Sequence, residues 1–162
     1  MTWQDSFFDQ AKSCDSLGSP FTARLLTVLA ERGLPKGPVL DRILSWPGDI
    51  SSRGASVALR VVGALHGLVL EGRAPRLAAI YPPADSEGLY DRTCAAIRGE
   101  ADWINARLDL PPQTNEVGRS AILIAAAQWL VAATGLPLRL SELGASAGLN
   151  LDFDHHALAG PG

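Results

Sequence analysis

The sequence lacks most of the features that would assign it quickly, and each absence excludes a class of protein. It holds only two cysteines, Cys14 and Cys94, far apart and with no CxxC or histidine spacing around either. That excludes a disulfide framework and a zinc signature and leaves two free, structural thiols. No charge of one sign dominates: 14 Lys and Arg stand against 17 Asp and Glu, for a net charge of -3. With the arginines scattered, nothing offers the basic footprint of a nucleic-acid partner. The longest apolar run, "AILIAAAQWLVAA", is interrupted by Gln128 and falls short of the roughly 20 residues of a membrane span. A buried helix is expected there, with no membrane partner. The start, "MTWQDSFFDQAKSC", mixes Asp5 and Asp9 with Phe7 and Phe8 and has neither a basic leader nor a continuous apolar core. It is no secretory signal, and a cytoplasmic location is expected.

What is abundant is apolar residues, 47% of the chain, with 16 glycines and 11 prolines as punctuation. This composition suits a packed soluble core. "TWQDSFFDQAKSC" reads as a short amphipathic helix ending before Gly18. Pro20 opens the next, "PFTARLLTVLAERG", with Phe21, Leu25, Val28 and Leu29 on one stripe and Gly33 as its stop. "GPVLDRILSWPGD" is a short helix broken at Trp46–Pro47. "ASVALRVVGALHGLVLEG" puts Val57, Val61, Ala64, Leu65, Leu68 and Val69 on a broad face, closed by Gly72. After the turn "YPPADSEG", the stretch from Gly88 to Leu110 sets Tyr90, Cys94, Ile97, Ala101, Ile104 and Leu108 at spacings of four and three, a single narrow helical seam.

Beyond Pro111–Pro112, "QTNEVGRSAILIAAAQWLVAATG" is apolar almost all round after Ser120, which predicts a helix in the middle of the fold, covered on several sides. "LPLRLSEL" then alternates as a strand does, and no internal repeat is visible. The expected architecture is mainly α: a multi-helix array over residues 1–135, followed over 136–162 by one β-strand, a glycine turn and the start of an incomplete Rossmann-like unit.

The glycine turn carries the chemistry. "GASAG", Gly144 to Gly148, matches G-x-S-x-G and would make Ser146 the nucleophile of a serine hydrolase. Its acid and histidine would have to come from Asp152, Asp154, His155 and His156, too near in sequence to fold back over the serine. With its flanks the stretch reads E-x-G-x-x-x-G-x-N, formed by Glu142, Gly144, Gly148 and Asn150. An acid closing a strand, then glycines where backbone must approach a ligand, is how nucleotide-like cofactors are held. This resembles the first motif of Rossmann-like S-adenosylmethionine-dependent methyltransferases, with Ser146 where those enzymes usually have a middle glycine.

A wider resemblance covers nearly the whole chain. "GSPFTARLL", "LRVVGALHGLVLEGRAP", "PPQTNEVGRSA" and "ELGASAGLNL" are similar, in this order, to segments of DUF2332, a bacterial family of unknown function. The resemblance implies a helical N-terminal half leading into a methyltransferase-like α/β half, in a chain about twice this length. It implies S-adenosylmethionine as cofactor, at Glu142, Gly144, Ser146, Gly148 and Asn150. An unknown substrate would lie near Asn115, Glu116 and Arg119, beside that small-molecule cofactor. Those three polar residues also have a plain structural role, since Thr114 would cap the helix and Glu116 would pair with Arg119.

Other candidates read more simply. His66 is the lone histidine of an apolar helix, and "DFDHH" reads as a solvated tail whose neighbouring side chains diverge rather than share a metal ion. Trp3, Trp46, Trp103 and Trp129 are dispersed, as core or interface area. The alternative to an enzyme is a helical interaction module that forms a homodimer through the strand at Leu138 to Leu143. Otherwise that strand would pack as an isolated extended segment or find its partner in a missing C-terminal half.

Overall fold

The computed structural model describes residues 2–81, 88–112, 117–144 and 148–156. Eight α-helices follow one another among them: α1 (Trp3–Ser16), α2 (Pro20–Arg32), α3 (Pro38–Leu44), α4 (Val57–Leu70), α5 (Pro75–Ala78), α6 (Leu89–Gly99), α7 (Ala101–Leu108) and α8 (Ser120–Thr134). The chain divides into two compact units, residues 1–112 and 113–162. No described helix is long and apolar enough to cross a membrane.

Local chemistry sets the helix ends. The Thr2 hydroxyl accepts from the Asp5 N–H at 3.1 Å while the Asp5 carboxylate accepts from the Thr2 N–H at 2.8 Å, a reciprocal cap that starts α1. Pro20, Pro38 and Pro75 each occupy the first turn of a helix, where a missing N–H costs nothing. Gly33, in the left-handed region at φ 87°, ends α2 with its N–H on the Leu29 carbonyl.

In the first unit α1 and α2 form a hairpin, and α4 is the central element, touching α1, α2, α5, α6 and α7. Its buried residues are Val57, Ala58, Val61, Val62, Ala64, Leu65 and Leu68, so its apolar face is broad enough to serve several neighbours. Leu25, Leu26 and Leu29 of α2 and Phe7 of α1 complete the core on one side; Ile97, Ile104 and Leu108 complete it elsewhere. Both thiols are free and buried in this unit.

The seam from Tyr90 to Leu108 is carried by two helices rather than one. Glu100, at φ -122° and ψ 28°, leaves helical geometry between α6 and α7, directly after Gly99, whose helix propensity is poor. Cys94, Ile97, Ile104 and Leu108 are still all buried, so the periodicity survives the break.

Two expectations for the second unit are corrected. No strand occurs among the described residues: the segment 136–142 carries no ladder, because a strand exists only by pairing and no described segment pairs with it. Pro137 also has no N–H to give. Nor is α8 covered on several sides. Ser120 and Ile124 are its buried residues, while Ile122 is 74% and Trp129 70% exposed. Among the described elements of its unit, α8 meets the 3-10 turns Val117–Arg119 and Phe153–His155, which are too short to cover an apolar cylinder.

Candidate functional site

The second unit builds a cleft between one face of α8 and the chain that returns along it. Leu123, Ala126, Ala127 and Leu130, spaced three and four apart, form the helical wall. Leu138 and Leu140 face them from the extended segment, with Leu151 and Phe153 also lining the cleft and Ser141 and Glu142 supplying the polar lining among the described residues. The cleft holds about 320 Å³. That two leucines two positions apart share one wall is the alternation the sequence showed, present without a ladder.

Glu142 is half-buried, and its Oε2 lies out of solvent with no hydrogen-bond partner. A carboxylate oxygen in that position is costly until a donor reaches it. Gly144 and Gly148, at φ 67° and 74°, both sit in the left-handed region, and a Cβ on either would meet no atom within 4 Å. These two positions therefore need glycine for their backbone angle and leave open space where a side chain would be. Asn150 is 4% exposed, with its Oδ1 also unpartnered. So the turn gathers two orphaned buried oxygens within nine residues of sequence, Glu142 to Asn150.

Of the remaining expected site residues, Arg119 ends the 3-10 turn at the start of α8, is exposed, and is not among the residues lining the cleft. Ser146, Asn115 and Glu116 lie outside the described residues, as does Thr114. One pairing was not anticipated. The Ser120 Oγ, in the first turn of α8, lies 3.0 Å from the His156 Nδ1, tying the helix start to the Phe153–His155 turn. Nothing in the local pattern announces a contact across 36 positions.

In that same turn the His155 Nδ1 lies 2.9 Å from Asp152 Oδ1 and 3.4 Å from Asp154 Oδ1, so three side chains expected to diverge are brought together by the tight winding. All three are exposed, and the contacts are those of a turn bonding to itself. His66, exposed on α4, stacks on the Tyr81 ring with centroids 5.5 Å apart, which gives it a packing role in the first unit. Burial pushes the Tyr81 phenol up to about 12.

Compared with known proteins, residues 4–162 match a family described as "Uncharacterized protein conserved in bacteria" (DUF2332). No curated protein and no solved structure matches the chain.

Proposed function

This chain belongs to DUF2332, an uncharacterised bacterial family, and on that premise we propose that its second unit carries the cofactor turn of an S-adenosylmethionine-binding, methyltransferase-like protein. The observation that carries the reading is the orphaned Glu142 Oε2 beside the cleft, two residues before a glycine held at positive φ. A buried acceptor without a donor is satisfied by a ligand that brings a hydroxyl or an ammonium, and S-adenosylmethionine has both. The apolar wall of Leu123, Leu130, Leu140 and Phe153 suits the flat face of its base. The open space at Gly144 and Gly148 suits a close approach of backbone to ligand.

When bound, the cofactor would supply an electrophilic methyl group. The chain's own task is then to bind and orient, with no nucleophile required of it. Glu142 would hold a hydroxyl or the ammonium, Gly144, Ser146 and Gly148 would present backbone to the ligand, and Asn150 would direct its amide at the turn. Asn115, Glu116 and Arg119, ahead of α8, would contact the unknown substrate. The serine-hydrolase reading of Ser146 would need its acid and histidine from Asp152 to His156, too near in sequence to fold back over the serine.

Calorimetric titration of the protein with S-adenosylhomocysteine tests the proposal. Binding is expected in the wild type. Glu142→Gln and Gly144→Val should each weaken it at least about tenfold, a loss of roughly 1.4 kcal/mol. A wild type that gives no heat, or heat that both variants leave unchanged, would overturn it.

A further inference from the structure

The connection from α2 to α3 and the stretch where α6 gives way to α7 enclose a second cleft, which shares no residue with the one beside α8. It lies wholly within residues 1–112 and holds about 180 Å³. Sites for drug-sized molecules run from roughly 300 to 1,000 Å³, so this one takes something smaller. Its lining divides by chemistry. Pro35, Val39 and Ile97 are buried and apolar, whereas Lys36 and Arg98 are exposed and bring positive charge. No acid is among the described residues that line it. Neither cation forms an ion pair among the described residues, although Arg32, Arg42, Arg73 and Arg107 of the same unit each pair with a carboxylate. Gly37, at φ 140° and with no atom within 4 Å of a would-be Cβ, leaves open space beside Lys36.

We infer that this cleft binds a small organic anion, a carboxylate carrying a short aliphatic chain. The pair of cations, contributed from distant parts of the chain, calls for an anion, since like charges on one cleft repel until a counter-charge joins them. The guanidinium of Arg98 presents its donors in a planar fork that matches the two oxygens of a carboxylate, and the ammonium of Lys36 adds an adjustable donor. The apolar floor favours a ligand with carbon to bury, and a bare inorganic ion would leave that floor unused. Because both cations are exposed, salt screens the attraction and the affinity is modest. For the same reason either residue can be replaced without unfolding the unit. The site does not depend on the cofactor reading of the second unit.

Titration of the isotope-labelled protein with a series from acetate to pentanoate, followed by heteronuclear NMR, tests the assignment. Amide shifts should centre on Gly37, Val39, Ile97 and Ala101. Affinity should rise roughly fourfold for each added methylene until the cleft is full. Raising the salt from about 0.02 to about 0.5 M should weaken it several-fold. Lys36→Met and Arg98→Met should each raise the dissociation constant at least about fivefold, while Lys12→Met, on α1, leaves it unchanged. Pentanamide, which keeps the chain and lacks the charge, should not bind. Spectra of the free variants show that each keeps its fold. No shift at these amides up to about 100 mM pentanoate, or equal affinity in both cleft variants, overturns the site. Acetate that binds as tightly as pentanoate overturns the aliphatic class, and pentanamide that does so overturns the anionic one.

Discussion

Trp103 of α7 lies against Gly67 of α4 so closely that a methyl group at Gly67 would stand 2.7 Å from its Cη2. The indole has little freedom to yield, because the guanidinium of Arg107 covers its ring at 4.4 Å and that of Arg73 at 5.9 Å. Both arginines are themselves paired, Arg73 with Glu100 and Arg107 with Glu71. Gly67 is therefore the point at which α4 admits α7.

Two glycine substitutions in α4 should have opposite signs. Gly67→Ala is expected to cost about 1–2 kcal/mol, the displacement of Trp103 outweighing the gain in helix propensity. Gly63→Ala, on the exposed side of the same helix with no atom within 4 Å of its would-be Cβ, should stabilise by about 0.5–1 kcal/mol. Urea unfolding of the two variants beside the wild type reads both; a shared sign would contradict the packing described.

Arg60 should not be replaceable by lysine. Its Nε donates to the Ala55 carbonyl at 2.6 Å and its Nη1 to the Leu108 carbonyl at 2.9 Å, with the Trp46 ring 5.4 Å away. One planar group thus holds the start of α4, the end of α7 and an aromatic ring, a geometry that an ammonium cannot reproduce. Arg60→Ala is expected to lose about 1–3 kcal/mol and Arg60→Lys most of that, measured by chemical denaturation.

Acid should weaken the fold through two exposed carboxylates. Asp5 is held below its ordinary 3.8 by the Thr2 N–H and hydroxyl, and Asp49 likewise by the Ser51 N–H and hydroxyl. Because the folded state binds these protons less readily than the unfolded chain, the stabilisation is complete above 3.8 and is lost as pH falls through the lowered values. Thermal melts at about pH 5 and about pH 2.5 should show a smaller acid decrement in Asp5→Asn and Asp49→Asn than in the wild type.

Alkali should act through Tyr81, whose phenol is raised from 10 to about 12 by burial beside Phe21 and His66. The folded state keeps that proton longer than the unfolded chain does. Its contribution is therefore whole below pH 10 and is lost as pH climbs towards about 12. Tyr81→Phe, which has no proton to release, should show a shallower alkaline decline in melting temperature over that window.

What could be read from the sequence followed how local its cause was. Pro20 and Gly33 act within one helical turn, and the ends they imply for α2 are where they should be. The seam through Cys94, Ile97, Ile104 and Leu108 was legible because burial follows periodicity, whereas the break at Glu100 leaves that periodicity untouched and so has no signature in it. Apolar content marked both α4 and α8 as helices. It could not say which would find neighbours: α4 meets five helices, and α8 meets short turns. At the candidate site the positive φ of Gly144 and Gly148 was foreseeable from residue type alone. The Ser120–His156 contact and the orphaned oxygen of Glu142 depend on how the chain returns along α8, which no single window contains, while the clustering of Asp152, Asp154 and His155 depends on a 3-10 winding that the sequence pattern did not mark.

The placement of the cysteines gives the molecule a built-in clock. Cys14 on α1 and Cys94 on α6 are both sealed in the core of residues 1–112, and neither lies in 113–162. A thiol reagent added under native conditions therefore times only the opening of the first unit. The opening of that core can thus be followed without introducing a single probe.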